Sequence, residues 1–499
     1  MVSTSPRRIT HGTQWPLFDL QATRRIERAA LADVGAHVLM QRAGLAVARL
    51  ALALAPHAQV VWVAAGPGNN GGDGWEAAQH LHRWGKGVVV TWLGSPETAS
   101  ADATLSRQRA LDLGVAVTAE PPDHWDLCVD ALLGIGATRA PEGRMAQWII
   151  RMRSRSAPVL SIDIPTGLNA DTGQASQACV HALATLCLLT LKPGLFTADG
   201  RDASAQVWLD DLQGGVQAPS IAPGVVPSAM LSGAPRPRAL AHASHKGSYG
   251  DVVIIGGARG MAGAALLAGS AALHAGAGRV YVSLLDEAAL PVNFAQPELM
   301  LRPADRLDLT RSTVVCGCGG ADAVRAYLPR VLSSAARLVL DADALNALAS
   351  DVQLQGQLRA RAARKRHTVL TPHPLEAARL LGITGAEVQK DRLAAAQRMV
   401  HLFQCTVVLK GSGSIVAAPN QIPSINPTGN ARLATAGTGD VLAGAIGAAL
   451  ATGLPEFQAA CEAVYLHGQC ADEWPADRPL SASLLASALR PHAAATRPS

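Results

Sequence analysis

Aromatic residues are scarce in this chain, 4% of 499 positions, and glycine and alanine fill much of the space they leave. Such a composition suits closely packed α/β layers. Paired cysteines are missing too: eight cysteines form no CxxC pair and no regular framework, which excludes a disulfide scaffold and a zinc ribbon and fits a reducing cytosol. Cys316 and Cys318 flank one glycine in an apolar run and read as core rather than metal ligands. Charge of one sign is not concentrated. The net +5 is small for this length and the arginines are scattered, so no nucleic-acid partner is expected. No run approaches the ~18 uninterrupted apolar residues of a membrane span, and Met1–Thr10 is polar without an apolar stretch. A soluble, cytoplasmic chain with no membrane partner is expected.

What remains is 49% apolar and long enough for two cores. Residues 14–55 have helical spacing, closed by Pro56. Strand-like runs follow at Val60–Ala64, Gly87–Leu93, Leu127–Val129, Val159–Ile162 and Leu183–Leu191, with a helix over about 74–84. Strands separated by helices imply a parallel sheet with right-handed crossovers. From about 212 to 240 the chain is rich in glycine and proline and loses its periodicity. A second series then has strands near Val252–Ile255, Val280–Leu284, Thr313–Val315, Leu338–Leu340, Thr368–Leu370 and Thr406–Leu409. Helices are expected near 262–275, 321–333, 374–381, 386–402, 439–452 and 456–471. The expectation is two unlike domains, 1–220 and 221–499, both α/β, the first a Rossmann-like doubly wound parallel sheet.

Two glycine-rich segments carry the chemistry. The first is Gly66-Pro67-Gly68-Asn69-Asn70-Gly71-Gly72-Asp73-Gly74. It satisfies G-x-G-x-x-G, yet the next strand ends Thr91-Trp92-Leu93-Gly94, without the carboxylate that a redox dinucleotide fold places on the ribose. Hydride transfer is therefore disfavoured. Asn69 and Asn70 add amides to the backbone donors, and Gly71 and Gly72 permit close approach by a phosphate. Asp130, before Leu132-Leu133-Gly134-Ile135-Gly136, and Asp163, before Ile164-Pro165-Thr166-Gly167, fall at carboxyl ends of strands, the ligand-binding edge of an open sheet. Oxygens of Asn70, Asp130 and Thr166 suit a hard cation. Capping or turn-bracing explains either aspartate alone, but three loops converging on one edge point to a site.

These residues resemble the epimerase domain of the NAD(P)H-hydrate repair family, over roughly 14–215. That resemblance implies hydrate binding at 69–73, at Gly134, Ile135, Gly136, Ala137, Thr138, Arg139 and Ala140, and at Asp163. It also implies K+ on Asn70, Asp130 and Thr166, threonine standing where serine is common. Asp163 is the candidate acid–base group, with Lys192 a second candidate.

The second segment, Gly437-Thr438-Gly439-Asp440, opens an Ala/Gly-rich helix. Backbone donors at 437–439 suit a phosphoryl group in transfer, and Asp440 suits the base that takes a hydroxyl proton. Lys410-Gly411-Ser412-Gly413-Ser414 follows a strand and offers a cation and donors. His373 and Glu376 lie one turn apart in Thr371-Pro372-His373-Pro374-Leu375-Glu376, and Asp341 and Asp343 end another strand. This set is similar to the dehydratase domain of the same family, over about 230–490, and implies a ribokinase-like fold for the second domain. The similarity implies a hydrate pocket lined by Ala264, Gly317 or Gly319, His373 and Asp440. It implies ADP or ATP on Lys410, Gly411, Ser412, Gly413, Ser414 and Gly439, with Mg2+. Asn430-Ala431-Arg432-Leu433 and Thr435-Ala436-Gly437 depart from the usual pattern of that family near the anion loop.

The expected activity is epimerisation of the R and S hydrates of NADH and NADPH (NADHX and NADPHX), then nucleotide-dependent dehydration of the S hydrate with release of phosphate. A ribokinase-type kinase with an N-terminal nucleotide-binding regulatory module is the alternative, and a non-enzymatic sensing scaffold a third reading. A homo-oligomer remains open, because Ala/Gly-rich helices serve an interface or a monomer's core equally well.

Overall fold

The computed structural model describes residues 5–490 apart from 36, 98, 138, 213–223, 238–241, 287 and 289–290. Contacts divide the chain into one unit of Met1–Thr10 with Trp15–Ala229 and another of His11–Gln14 with Met230–Ser499. The boundary expected between 220 and 221 lies outside the described residues.

The first unit is built on an eight-stranded sheet: β1 Arg7–Arg8, β2 Val60–Ala65, β3 Gly87–Trp92, β4 Ala116–Thr118, β5 Leu127–Ala131, β6 Val159–Ile162, β7 Ala184–Leu188 and β8 Gln206–Asp210. Their order is β1-β8-β7-β6-β5-β2-β3-β4, with every pairing parallel except β1 with β8. The order reverses between β2 and β5, and that crevice is where such a sheet takes its ligand. Both faces are covered. Val61, Val63 and Ala65 enter one apolar cluster, while Trp62 and Ala64 enter another with Trp125 and Trp148. Alternate side chains of β2 thus point to opposite faces, and each large one contributes about 1.5–3 kcal/mol by burial.

The helical stretch expected over 14–55 is two helices, α1 Leu20–Val34 and α2 Val38–Leu54. The chain breaks between them at Gly35 and His37, with φ of 86° and 66°. The glycine segment expected as a loop is largely helical: α3 spans Asn69–Arg83, so Asn69 to Gly74 form its first turns. Glycine is a poor helix former, but these glycines allow contact no side chain would. A Cβ on Gly71 would strike Gly66 O, and one on Gly74 would strike the Ala131 side chain 2.5 Å away.

In the second unit the strands are β9 Asp251–Gly256, β10 Arg279–Leu284, β11 Met300–Leu301, β12 Thr313–Cys316, β13 Arg337–Leu340, β14 His367–Leu370, β15 Thr406–Leu409, β16 Ile415–Ala417 and β17 Ser424–Ile425. They lie in the order β11-β10-β9-β12-β13-β14-β15-β16-β17, parallel up to β15 and antiparallel from there to β17, which the strand Ala229–Leu231 then joins in parallel. The helix expected over 321–333 is a 3₁₀ turn followed by a short helix, and that over 386–402 breaks at Asp391. Helix α4, Thr438–Ala451, packs its glycines on neighbours of its own unit: a Cβ on Gly444 would strike Ala268 O. Those small residues serve the core. Among the described residues no single helix is long and apolar enough to cross a membrane.

Candidate active sites

Pro67 to Asn70 after β2, Leu132 to Gly136 after β5, and Asp163 after β6 meet at the switch point. With Asp73 of α3 they line a cavity of about 450 Å³. Asn69, Asn70, Asp73, Gly134, Ile135, Gly136 and Asp163 therefore come together as expected from sequence. Gly71 and Gly72 do not line it; both are buried in α3, where a Cβ on Gly72 would meet Met40 at 2.6 Å. Ala137, Arg139 and Ala140 continue the loop beyond the lining residues, and Thr138 lies outside the described residues.

Asp163 holds a left-handed backbone with φ 65°, a conformation that costs a non-glycine residue energy and that neighbouring structure must enforce. Its N–H donates to Leu186 O at 2.7 Å. Its carboxylate is the ion-pair partner of Lys192, which is fully buried. The Lys192 ammonium also donates to Thr190 O at 2.9 Å and Leu188 O at 3.2 Å. Lys192 thus stands behind Asp163 and fixes it; it is not itself a lining residue. Burial and the charges of Asp163, Glu27 and Glu76 push the Asp73 carboxyl well above its ordinary range.

Asp130 is fully buried and accepts from Thr166 Oγ1 at 2.7 Å, Ser161 Oγ at 2.8 Å, Thr166 N at 2.9 Å and Leu132 N at 3.3 Å. Burial still outweighs these bonds and pushes its pKa up. Asn70 is buried, and its Nδ2 has no partner among the described residues. The Asp130 carboxylate, the Thr166 hydroxyl and the amide oxygen of buried Asn70 are hard oxygen ligands of the kind a cation takes, while the unpartnered Nδ2 can only donate.

Sequence reasoning missed α1. Thr23, Arg24 and Glu27 line the same cavity, as do Met40 of α2 and Asp102. No local signature marks them.

In the second unit the loops after β13, β14 and β15 converge. Lys410 Nζ lies 2.7 Å from Asp341 Oδ1 and 4.0 Å from Glu376 Oε2. Thr371 Oγ1 donates to the same Asp341 oxygen at 2.7 Å. The ammonium reaches the anion loop, since a Cβ on Gly439 would sit 3.4 Å from it. Gly437, φ 89°, turns the chain into α4. Asp440 in the first turn of α4 has its pKa raised to about 6, chiefly by burial and then by Asp341, against the opposing effects of Cys318 and Lys410. Burial likewise raises Glu376 to about 7.

His373 caps the helix Pro374–Leu381: its Nδ1 accepts from Leu375 N at 3.0 Å, and Glu376 Oε2 accepts from His373 N at 2.8 Å. Gly317 has φ 120° and closes on Asp341 O; Gly319, φ 59°, lies against Ala264, whose Cβ would be 2.8 Å from an added methyl. Gly411 and Gly413, φ 139° and 61°, shape the turn whose Ser414 Oγ donates to Gly411 O at 3.2 Å. Cys316 and Cys318 are both fully buried, Cys318 within the apolar core as expected, and the Cys318 thiol also donates to Asp341 Oδ2 at 4.0 Å. The arrangement holds a lysine ammonium, a glycine-bearing helix start and a half-buried carboxylate within one cluster.

Comparison with known proteins follows this division. Residues 252–491 match the family described as NAD(P)H-hydrate dehydratase, and residues 36–194 match the YjeF-related protein N-terminus. The bifunctional NAD(P)H-hydrate repair enzyme of Escherichia coli strain K12 is 37% identical over 488 residues, covering 94% of this chain and 90% of that protein. The ADP-dependent (S)-NAD(P)H-hydrate dehydratase of Neisseria meningitidis is 43% identical over 263 residues, 51% of this chain and 88% of that protein. The solved ADP/ATP-dependent NAD(P)H-hydrate dehydratase of Bacillus subtilis, co-crystallized with ATP/Mg2+, is 32% identical with a TM-score of 0.43, covering 50% of this chain and 91% of its own.

Proposed function

The chain belongs to the family of bifunctional NAD(P)H-hydrate repair enzymes, and from that premise we propose how its two sites divide the work. It interconverts the R and S hydrates of NADH and NADPH and dehydrates the S hydrate with an adenine nucleotide. This reading is favoured over a kinase with a regulatory module.

Epimerisation belongs to the cavity at the first sheet's switch point. The observation that carries this assignment is the strained Asp163, paired with a buried lysine, facing a cavity of about 450 Å³. A carboxylate fixed this way exchanges a proton with the hydrate's hydroxyl. The amides at Asn69 and Asn70 and the Gly134–Gly136 loop hold the coenzyme. Asn70, Asp130 and Thr166 would hold K+, whose charge would stabilise the buried Asp130 anion.

Dehydration belongs to the second cluster. Asp440 takes the hydroxyl proton, the N–H groups of Gly437 to Gly439 and the Lys410 ammonium hold the phosphoryl in transfer, and Lys410 to Ser414 hold ADP or ATP. The phosphorylated hydroxyl then leaves as phosphate, restoring the dihydronicotinamide. For the Mg2+ that would accompany the nucleotide, the Asp341 and Asp440 carboxylates offer oxygens within 4.8 Å of one another. Ala264, Gly317, Gly319 and His373 line the hydrate side. The chain divides by activity near residue 220, and its working location is the cytoplasm.

The test is incubation with mixed hydrate epimers and ADP or ATP. Recovery of reduced-nicotinamide absorbance with stoichiometric phosphate is expected; a stable phosphorylated product would favour the kinase reading instead.

A further inference from the structure

Helix α1 is anchored to the loop that holds Asp163. Asp19 caps it, accepting from Ala22 N at 2.8 Å, and Leu20 N donates to Asp171 Oδ1 at 2.9 Å. The Thr23 and Thr190 hydroxyls meet at 2.9 Å, and Thr190 O in turn accepts from Lys192 Nζ at 2.9 Å. One bonded chain therefore runs from α1 through Thr190 and Lys192 to Asp163. Glu27 lies one turn beyond Thr23 on the same helix and lines the cavity that Asp163 lines.

We propose that Glu27 is a second catalytic residue of epimerisation, the proton donor that works opposite Asp163 in one cavity. The inference rests on the reading that this cavity holds the hydrate.

The chemistry requires two groups. Water adds to an enamine double bond at the carbon bonded to nitrogen, so the hydrate's hydroxyl sits on a ring carbon next to the ring nitrogen. Loss of the hydroxyl proton to Asp163 turns that carbon into an aldehyde as its C–N bond breaks. The electron pair goes to nitrogen, which takes a proton from Glu27. Rotation of the aldehyde, addition of nitrogen to its other face and return of both protons give the other epimer. Atoms and electrons balance without a co-reactant. A base alone would leave the departing nitrogen as an anion.

The surroundings divide the roles. Asp163 is paired with the Lys192 ammonium, as the base should be. Glu27 is displaced upward by burial first and by Asp163 second, with Lys192 and Arg24 opposing. Burial that disfavours the charged form suits the Glu27 carboxyl to carry the proton it gives up. Asp73 of α3 and Asp102 are the other carboxyls of the cavity; Asp73 is the competitor for the role, and its asparagine variant decides between the two.

The test uses the full chain and purified R hydrate without nucleotide, following the S epimer across pH for wild type, Asp163→Asn, Glu27→Gln, Glu27→Asp and Asp73→Asn. Glu27→Gln should lower kcat about 100-fold and leave KM within about 3-fold. It should also abolish the fall in kcat at high pH, because an acid is lost as pH rises through its pKa. Glu27→Asp should recover about 10-fold of the lost rate, and it carries the test if the glutamine variant does not fold. A Glu27→Gln enzyme within about 3-fold of wild-type kcat, a loss confined to KM, or a high-pH limb that vanishes only in Asp73→Asn would overturn the proposal. Wild-type chain that leaves R hydrate unchanged would remove the underlying reading itself.

Discussion

Lys410 and Asp341 face each other across neighbouring loops of the second unit, ammonium to carboxylate at 2.7 Å, with Asp341 almost fully buried. The pair holds Lys410, the proposed nucleotide contact, against Gly439 at the start of α4. Asp341→Asn removes the charge that fixes Lys410. Losing one member of a buried pair costs about 3–5 kcal/mol, so dehydratase activity should fall mainly through a higher nucleotide KM. Epimerisation by the same preparation should be unchanged. Steady-state kinetics with varied ADP and ATP checks this.

In the proposed mechanism Asp440 is the base, a role it fills only when ionised. With its pKa raised to about 6, dehydration should decline as pH falls through that value, since protonation removes the base. Asp440→Asn should cut the rate about 10²–10⁴-fold at all pH values and leave epimerisation intact. A pH–rate profile of S-hydrate dehydration measures both.

Asp163 and Lys192 separate stability from activity. Either Asp163→Asn or Lys192→Met alone leaves a buried polar partner uncompensated, and each should lose about 3 kcal/mol on the scale of broken buried pairs. The double variant should recover part of that stability, because it buries no net charge. None of the three should epimerise hydrate. Denaturant melts beside epimer ratios test this.

Much of this was legible in the chain. The alternation of apolar runs marked most strands of both sheets, and Asp130, Asp163, Asp341 and Lys410 were readable because each sits where a strand ends. The two-residue strands Arg7–Arg8 and Ser424–Ile425 were not, since a pair of residues has no period. The helical start at Asn69 was hidden because glycine's intrinsic preference argues against it, and only contacts such as Gly71 with Gly66 O override that preference. Glu27 lies in an ordinary amphipathic helix, Arg24-Arg25-Ile26-Glu27-Arg28, and acquires its setting only when α1 packs beside Thr190. The Lys192–Asp163 pairing spans 29 residues and has no local spacing to betray it.

The cation site gives a further expectation. Replacing K+ by choline, or Thr166 by alanine, should raise the hydrate KM of epimerisation and lower the melting temperature of the first unit. Thr166→Ala also removes the 2.7 Å bond to Asp130, leaving a buried carboxylate with one partner fewer at about 1–3 kcal/mol. Calorimetry with and without K+ separates the two contributions.

The most direct measurement starts from pure R hydrate with nucleotide and follows NADH recovery by wild type and by Asp163→Asn. Wild type should restore the coenzyme fully, while the variant should consume added S hydrate normally and convert R hydrate no faster than its spontaneous epimerisation. Recovery from R hydrate at the wild-type rate by Asp163→Asn would contradict the division of labour between the two sites.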